Sequence, residues 1–183
     1  IGKIKTIDVK EKLAGNISQS YLLEDLDAYF YKNVCVPLVK YYREKDVKGF
    51  DPVSFNALLG PKTNLILNEI WVNYQYQTEF NPFHDHGGVY SFAIWMKIPY
   101  EGKDQQQLPQ FKGTKSVNKK AGNFEFEYID SLGDVRCFGY QLSPKKEGTM
   151  LFFPAKLRHC VYPFYGTDEP RISISGNLFY CSS

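Results

Sequence analysis

The stretch EFNPFHDHGGVYSFAIW, residues 79–95, sets His84 and His86 on either side of Asp85, directly before a run of aromatic and β-branched residues. The chain has only three histidines in 183 residues. In extended backbone, side chains two apart share a face, so His84 and His86 point one way and Asp85 the other. Gly87 and Gly88 follow and let the chain turn without crowding that face. A lone strand histidine is ordinarily a satisfied core or surface residue. A pair on one face, beside glycines, reads instead as two ligands of one metal ion, because imidazole is the commonest ligand side chain.

The third histidine, His159, lies in TMLFFPAKLRHCVYPFYG, residues 149–166, on a separate strand-like run. Two ligands close together and one distant is how a site inside a β-barrel is assembled. Cys160 is adjacent, but neighbours on a strand face opposite ways, which argues against a Cys/His nucleophile pair. Beyond it comes RISISGNLFY, residues 171–180, where Arg171, Ser173, Ser175 and Asn177 fall on one face and Ile172, Ile174 and Leu178 on the other. In an open sheet such a polar face is a solvated edge. In a closed barrel it is the interior, and an arginine planted there calls for an anion, a carboxylate being the best match to its fork.

The texture around these motifs predicts the fold. From Leu65 onward, seven short runs rich in aromatic and β-branched residues are separated by turn residues: 65–77, 88–100, 123–129, 135–142, 148–155, 160–165 and 171–180. That spacing predicts a mainly β protein, an antiparallel barrel or sandwich. Ahead of it, LLEDLDAYFYKNVCVPLVKYYREK (22–45) carries Leu26, Phe30, Val34, Leu38 and Tyr41 at steps of three and four, an apolar helical stripe. Pro37 interrupts the stripe and predicts a kink or a break. Residues 1–13 read as an edge strand, and 48–64, rich in Gly, Pro and Asn, as loop. Residues 101–122 are polar and long for a β-connection, which suggests a lid at the pocket entrance. Tyr74, Tyr76 and Trp95 are expected in barrel core, with pocket lining the other reading. The length suits one domain over 1–183, with 1–64 as helical support and 65–180 as barrel core.

Composition narrows the partners. A net charge of +2 provides no field for nucleic acid, and the lysines of 111–122 read as a solvated loop. No run approaches the roughly 18 apolar residues of a membrane span, and no signal peptide is evident. Cys35, Cys137, Cys160 and Cys181 form no CxxC, so reduced thiols and a cytoplasmic location, in a bacterium or a phage-infected host, are expected.

FHDHGG (83–88), the Gly–strand–Pro–His order of 148–159 and RIS (171–173) together resemble the 2-oxoglutarate- and Fe(II)-dependent oxygenases, over roughly Leu65–Tyr180. The similarity is greatest to the branch found in marine bacteria and their phages, where HxH often stands in place of HxD. The resemblance implies a double-stranded β-helix, or jelly roll, with N-terminal helices packed on it. It implies Fe(II) held by His84, His86 and His159, and 2-oxoglutarate anchored by Arg171 with Ser173. It also implies decarboxylation of 2-oxoglutarate coupled to hydroxylation of a substrate. The usual triad has two histidines and a carboxylate, so a third imidazole leaves the site one negative charge short. Asp85 restores that charge only if the backbone there is irregular, and strand geometry favours His86. Two alternatives stand beside this reading: a cupin-like three-histidine dioxygenase that does not use 2-oxoglutarate, and a non-catalytic jelly-roll, for example a virion component. The substrate, whether small molecule, peptide or nucleobase, is not written in the sequence.

Overall fold

The structure, a computed structural model, describes residues 4–9, 11, 13–45, 65–113, 115–116 and 119–181. The expected loop at 48–64 lies outside the described residues. Among the described residues, ten strands form two antiparallel sheets. The larger has the order β1 (Ile4–Asp8), β2 (Gln19–Leu23), β3 (Leu65–Gln75), β10 (Arg171–Tyr180), β5 (Tyr90–Lys97), β8 (Met150–Pro154). The smaller has the order β4 (Asn81–His84), β9 (Arg158–Val161), β6 (Phe124–Ile129), β7 (Val135–Tyr140). Consecutive strands alternate between the sheets from β3 to β6 and again from β7 to β10, which is the jelly-roll winding expected from the sequence. The edge strand foreseen near the N-terminus is β1. β2 was not foreseen, because Leu22 and Leu23 read as the start of the helix.

Alternation on the larger sheet separates two environments. Ile70, Val72, Phe92, Ile94, Ile174 and Leu178 face outward and bury against Phe30, Cys35 and Val39 of the N-terminal segment. Trp71, Asn73, Gln75, Arg171, Ser173 and Ser175 line a cavity between the sheets. Gly176 is required on the helix side, because a Cβ there would sit 2.5 Å from the Phe92 ring and 2.8 Å from the Glu69 carbonyl oxygen. A second apolar cluster of Trp95, Ile98, Tyr100, Phe124, Phe126, Leu142, Phe153 and Phe164 closes one end of the interior.

The N-terminal helical segment differs from the expected stripe. Leu26 is 53% exposed and Tyr41 60% exposed, whereas Phe30, Cys35 and Val39 are buried. The cause is a π-helical turn, Tyr31–Cys35, that runs directly into α1 (Val36–Lys45). A π turn takes one more residue than an α turn, so the buried stripe slips by one position, from Leu38 to Val39 and from Tyr41 to Tyr42. Pro37 sits at the junction, where its missing N–H is tolerated. Asp25 caps the segment, its carboxylate accepting from the N–H groups of Phe30 and Tyr31 at 2.8 Å each.

The segment expected to be a lid is anchored. It carries a short helix, α2 (Gly102–Gln105), whose Gln105 is buried and bonds both ways to the Tyr165 backbone, at 2.8 and 2.9 Å. Gly102 N–H donates to Leu142, and Gly122 N–H to Pro163, both at 2.8 Å. Its described residues line neither cavity beside the histidines. The described part of the segment is thus tethered to the neighbouring loop, and its Gly122 carbonyl accepts from Arg171 of the cavity.

Candidate metal centre and co-substrate cavity

His84 ends β4 and pairs across the ladder with His159 of β9. His86 lies just past the strand end, where its N–H donates to the Ala155 carbonyl at 2.9 Å. The three rings meet, with centroids 4.3 Å (His84–His159), 5.0 Å (His84–His86) and 5.0 Å (His86–His159) apart. One nitrogen from each lies within 4.8 Å of the others, a group able to hold one metal ion.

The donor set fits a transition metal. His84 Nδ1 is 2.7 Å from the Pro82 carbonyl oxygen, and His159 Nδ1 is 3.0 Å from that of Leu157. A carbonyl only accepts, so each Nδ1 carries the proton and each Nε2 keeps its lone pair, the arrangement that orients a metal-ligating imidazole. Burial is the main force holding all three rings below their ordinary pKa, His86 at about 4 and His159 at about 3, with the neighbouring His84 adding to it in both. All three are therefore neutral at pH 7 and offer lone pairs. Phe124 and Phe153 pack on the His159 ring, and Trp71 sits edge-on to His86 with ring centres 6.0 Å apart.

Asp85 turns the other way. It is exposed and pairs with Lys156 at 2.9 Å, and that hydrogen bond holds its carboxyl below the usual range. It does not join the cluster. Cys160 also faces away from His159, among Tyr162 and Glu125, and burial pushes its thiol up to about 11, far from a nucleophile's range. All four cysteines are free.

Arg171 sits at the other end of the same cavity, 2% exposed. Its guanidinium donates to the Tyr100 hydroxyl, the Gln75 side-chain oxygen, and the carbonyls of Gly122 (3.1 Å) and Tyr162 (3.3 Å). All four partners are neutral, and among the described residues no carboxylate forms an ion pair with it. Gln75 is fixed in turn by donating to the Glu79 carbonyl at 2.6 Å. Ser173 and Ser175 line the wall between Arg171 and the histidines. Trp95 contributes to both cavity and core, while Tyr74 packs against the helix-side core. Tyr76 lines neither cavity. Sequence reading missed Tyr100, Gln75 and Asn81. Of these, Gln75 was signalled by its alternation with Trp71 and Asn73 on β3.

Three histidines able to hold a metal ion and a buried arginine with only neutral partners share one cavity of this jelly roll. A family described as "Putative 2OG-Fe(II) oxygenase" matches residues 69–177, and the chain belongs to that family. Fe(II) is accordingly its metal and 2-oxoglutarate its co-substrate. Among solved structures, the viral collagen prolyl hydroxylase of Paramecium Bursaria Chlorella virus-1, in its 2OG complex, shares the fold at TM-score 0.51 and 12% identity, covering 93% of this chain and 84% of that one. A prolyl-4-hydroxylase of Pseudomonas putida gives 0.48 and 11%, covering 94% and 81%. A 2OG-Fe(II) oxygenase-family oxidoreductase of Burkholderia pseudomallei gives 0.44 and 13%, with 68% of this chain covered; the match spans only 48% of that protein's length. No curated protein matches the chain by sequence. No helix among the described residues is long and apolar enough to cross a membrane.

Proposed function

We propose that the protein is a hydroxylase in which His84, His86 and His159 hold Fe(II) and Arg171, with Ser173, anchors the far carboxylate of 2-oxoglutarate. The balanced reaction is 2-oxoglutarate, dioxygen and a substrate C–H going to succinate, carbon dioxide and the C–OH product. The observation that carries this is Arg171: a permanent cation, 2% exposed, with only neutral partners, in the cavity that the three histidines also line. Burying a charge without a counter-charge is costly, and an incoming carboxylate relieves that cost.

When bound, Fe(II) supplies dioxygen activation and 2-oxoglutarate supplies the two electrons that complete the reduction. The chain's own residues position and exclude. Tyr100, Gln75 and two backbone carbonyls take up the four N–H groups of the two terminal guanidinium nitrogens, so they hold the cation in place and a carboxylate pairs with it by displacing one or more of these neutral acceptors. Ser173 adds a hydroxyl on the same strand face. Trp95, Phe124 and Phe153 keep water from the wall behind His159.

The substrate enters on the other side of the histidines. A neighbouring pocket, lined by apolar Val9, Leu13, Ala14, Leu22 and Trp71 and by polar Glu69, Asn81, Asp85 and Asn177, shares His84 and His86 with the first. β1 and β2 extend the larger sheet and the N-terminal segment covers it, which supports one domain over 1–183.

The test is succinate formation. Protein loaded with Fe(II) and supplied with 2-oxoglutarate and dioxygen should release succinate, and the Arg171→Ala and His159→Ala proteins should not. Wild-type protein that binds iron stoichiometrically yet neither binds nor consumes 2-oxoglutarate would transfer the assignment to a three-histidine dioxygenase of the cupin kind.

A further inference from the structure

The side chain of Asn81 touches the metal-binding nitrogen of His84. Its Nδ2 lies 3.3 Å from His84 Nε2, the atom whose lone pair is left free because Nδ1 donates to Pro82. Residues three apart on a regular strand face opposite ways. Here Asn81 pairs with Val161 and His84 with His159, three steps on β4 against two on β9, with a register shift between them. That is a β-bulge, the device that re-aims a side chain beside an active site. It puts Asn81 on the same face as His84, and Asn81 lines both cavities that meet at the histidines.

The other end of the amide is unsatisfied. Asn81 Oδ1 is buried and accepts no hydrogen bond, a condition that costs about 1–3 kcal/mol and calls for an explanation. Gly15 closes over it: a Cβ on Gly15 would lie 2.5 Å from Oδ1 and 2.3 Å from the Phe80 carbonyl oxygen, so two acceptors crowd one point. The two ends of an amide are isosteric, and turning it over brings Oδ1 to the His84 side. Two donors each about 2.1 Å from one ion in tetrahedral arrangement are roughly 3.4 Å apart, close to the 3.3 Å observed here.

We infer that Asn81 is a fourth protein ligand: its amide, whose nitrogen lies against His84 Nε2 here, turns over to give its oxygen to a bound metal. The inference rests on the assignment of the three histidines under Proposed function. It also explains how a site lacking a carboxylate retains an oxygen donor. Being neutral, the amide is the weakest of the four ligands and the one that gives way as co-substrate and substrate fill the two cavities.

The experiment uses Co(II) as the probe, with anaerobic calorimetry for affinity and the visible d–d bands for coordination, on wild type, Asn81→Leu, Asn81→Ala and Asn81→Asp. Asn81→Leu and Asn81→Ala should lower Co(II) affinity about tenfold or more and shift the bands. Asn81→Asp should bind more tightly than wild type. If the truncated proteins bind Co(II) as tightly as wild type or more tightly, with unchanged bands, Asn81 is only a hydrogen-bond partner of His84 and the inference is overturned. Should Asn81→Leu not fold, the smaller Asn81→Ala gives the same reading. Wild type that binds no Co(II) would instead strike the histidine assignment itself.

Discussion

His159 and Arg171, at the two ends of the cavity, are buried alike and behave in opposite ways. His159 is 4% exposed and Arg171 is 2% exposed. At the histidine end, burial strips the protons from three imidazoles and leaves lone pairs facing one another, so the protein makes ligands by withdrawing water. At the arginine end the same withdrawal removes nothing, because a guanidinium does not lose its proton in a protein. That charge is held in place by neutral oxygens and stays uncompensated until an anion comes. Under the function proposed above, one end takes a cation and the other a carboxylate, with Ser173 and Ser175 on the cavity wall.

This contrast predicts effects of graded size. The largest is at the histidine end: His159→Ala should abolish stoichiometric Fe(II) binding, measured by metal analysis after anaerobic loading, and retention of one iron per chain would break the account of that end. Next comes the arginine end. Losing a partly buried charged pair costs about 2–5 kcal/mol, so Arg171→Ala should weaken 2-oxoglutarate binding roughly 30-fold or more while leaving Fe(II) bound. Arg171→Lys should recover only part of the loss, since an ammonium cannot reproduce the fork.

Smaller effects belong to the frame. Gly176→Ala drives a methyl into the Phe92 ring and the Glu69 carbonyl, an overpacking that costs about 1–3 kcal/mol, visible as a lower urea midpoint with unchanged metal stoichiometry. Asp85→Ala removes only an exposed pair with Lys156, within about 0–1 kcal/mol, and should leave iron binding intact. Loss of iron in that variant would return the carboxylate to the ligand set.

The β-rich architecture was legible in the alternation of its strands, while the jelly roll and the roles of the cavity residues came from the resemblance carried by FHDHGG, the Gly–strand–Pro–His order and RIS. His84 and His86, and Arg171 with Ser173, follow from counting in twos, and the burial of Ile174 and Leu178 opposite them agrees. What escaped were the places where counting breaks. The π turn at Tyr31–Cys35 adds a residue to a helix, and the bulge between Asn81 and His84 adds one to a strand. Each shifts every later side chain by one position, and neither has a composition of its own. His86 reached the cluster even though the strand ends at His84, because Ala155 accepts from its N–H and holds the turn. Tyr100 and the Gly122 carbonyl come from opposite ends of a polar connection that looked like a lid, and only the folded chain brings both to Arg171.

The most direct test of the two-ended cavity is anaerobic titration of the Fe(II)-loaded protein with 2-oxoglutarate, following the charge-transfer absorption of the chelate in wild type and Arg171→Ala. The account predicts a saturable band in wild type at one equivalent of iron, and the same band in Arg171→Ala only at roughly 30-fold or more higher 2-oxoglutarate. Equal affinity in the two proteins, or no band in either, would contradict it.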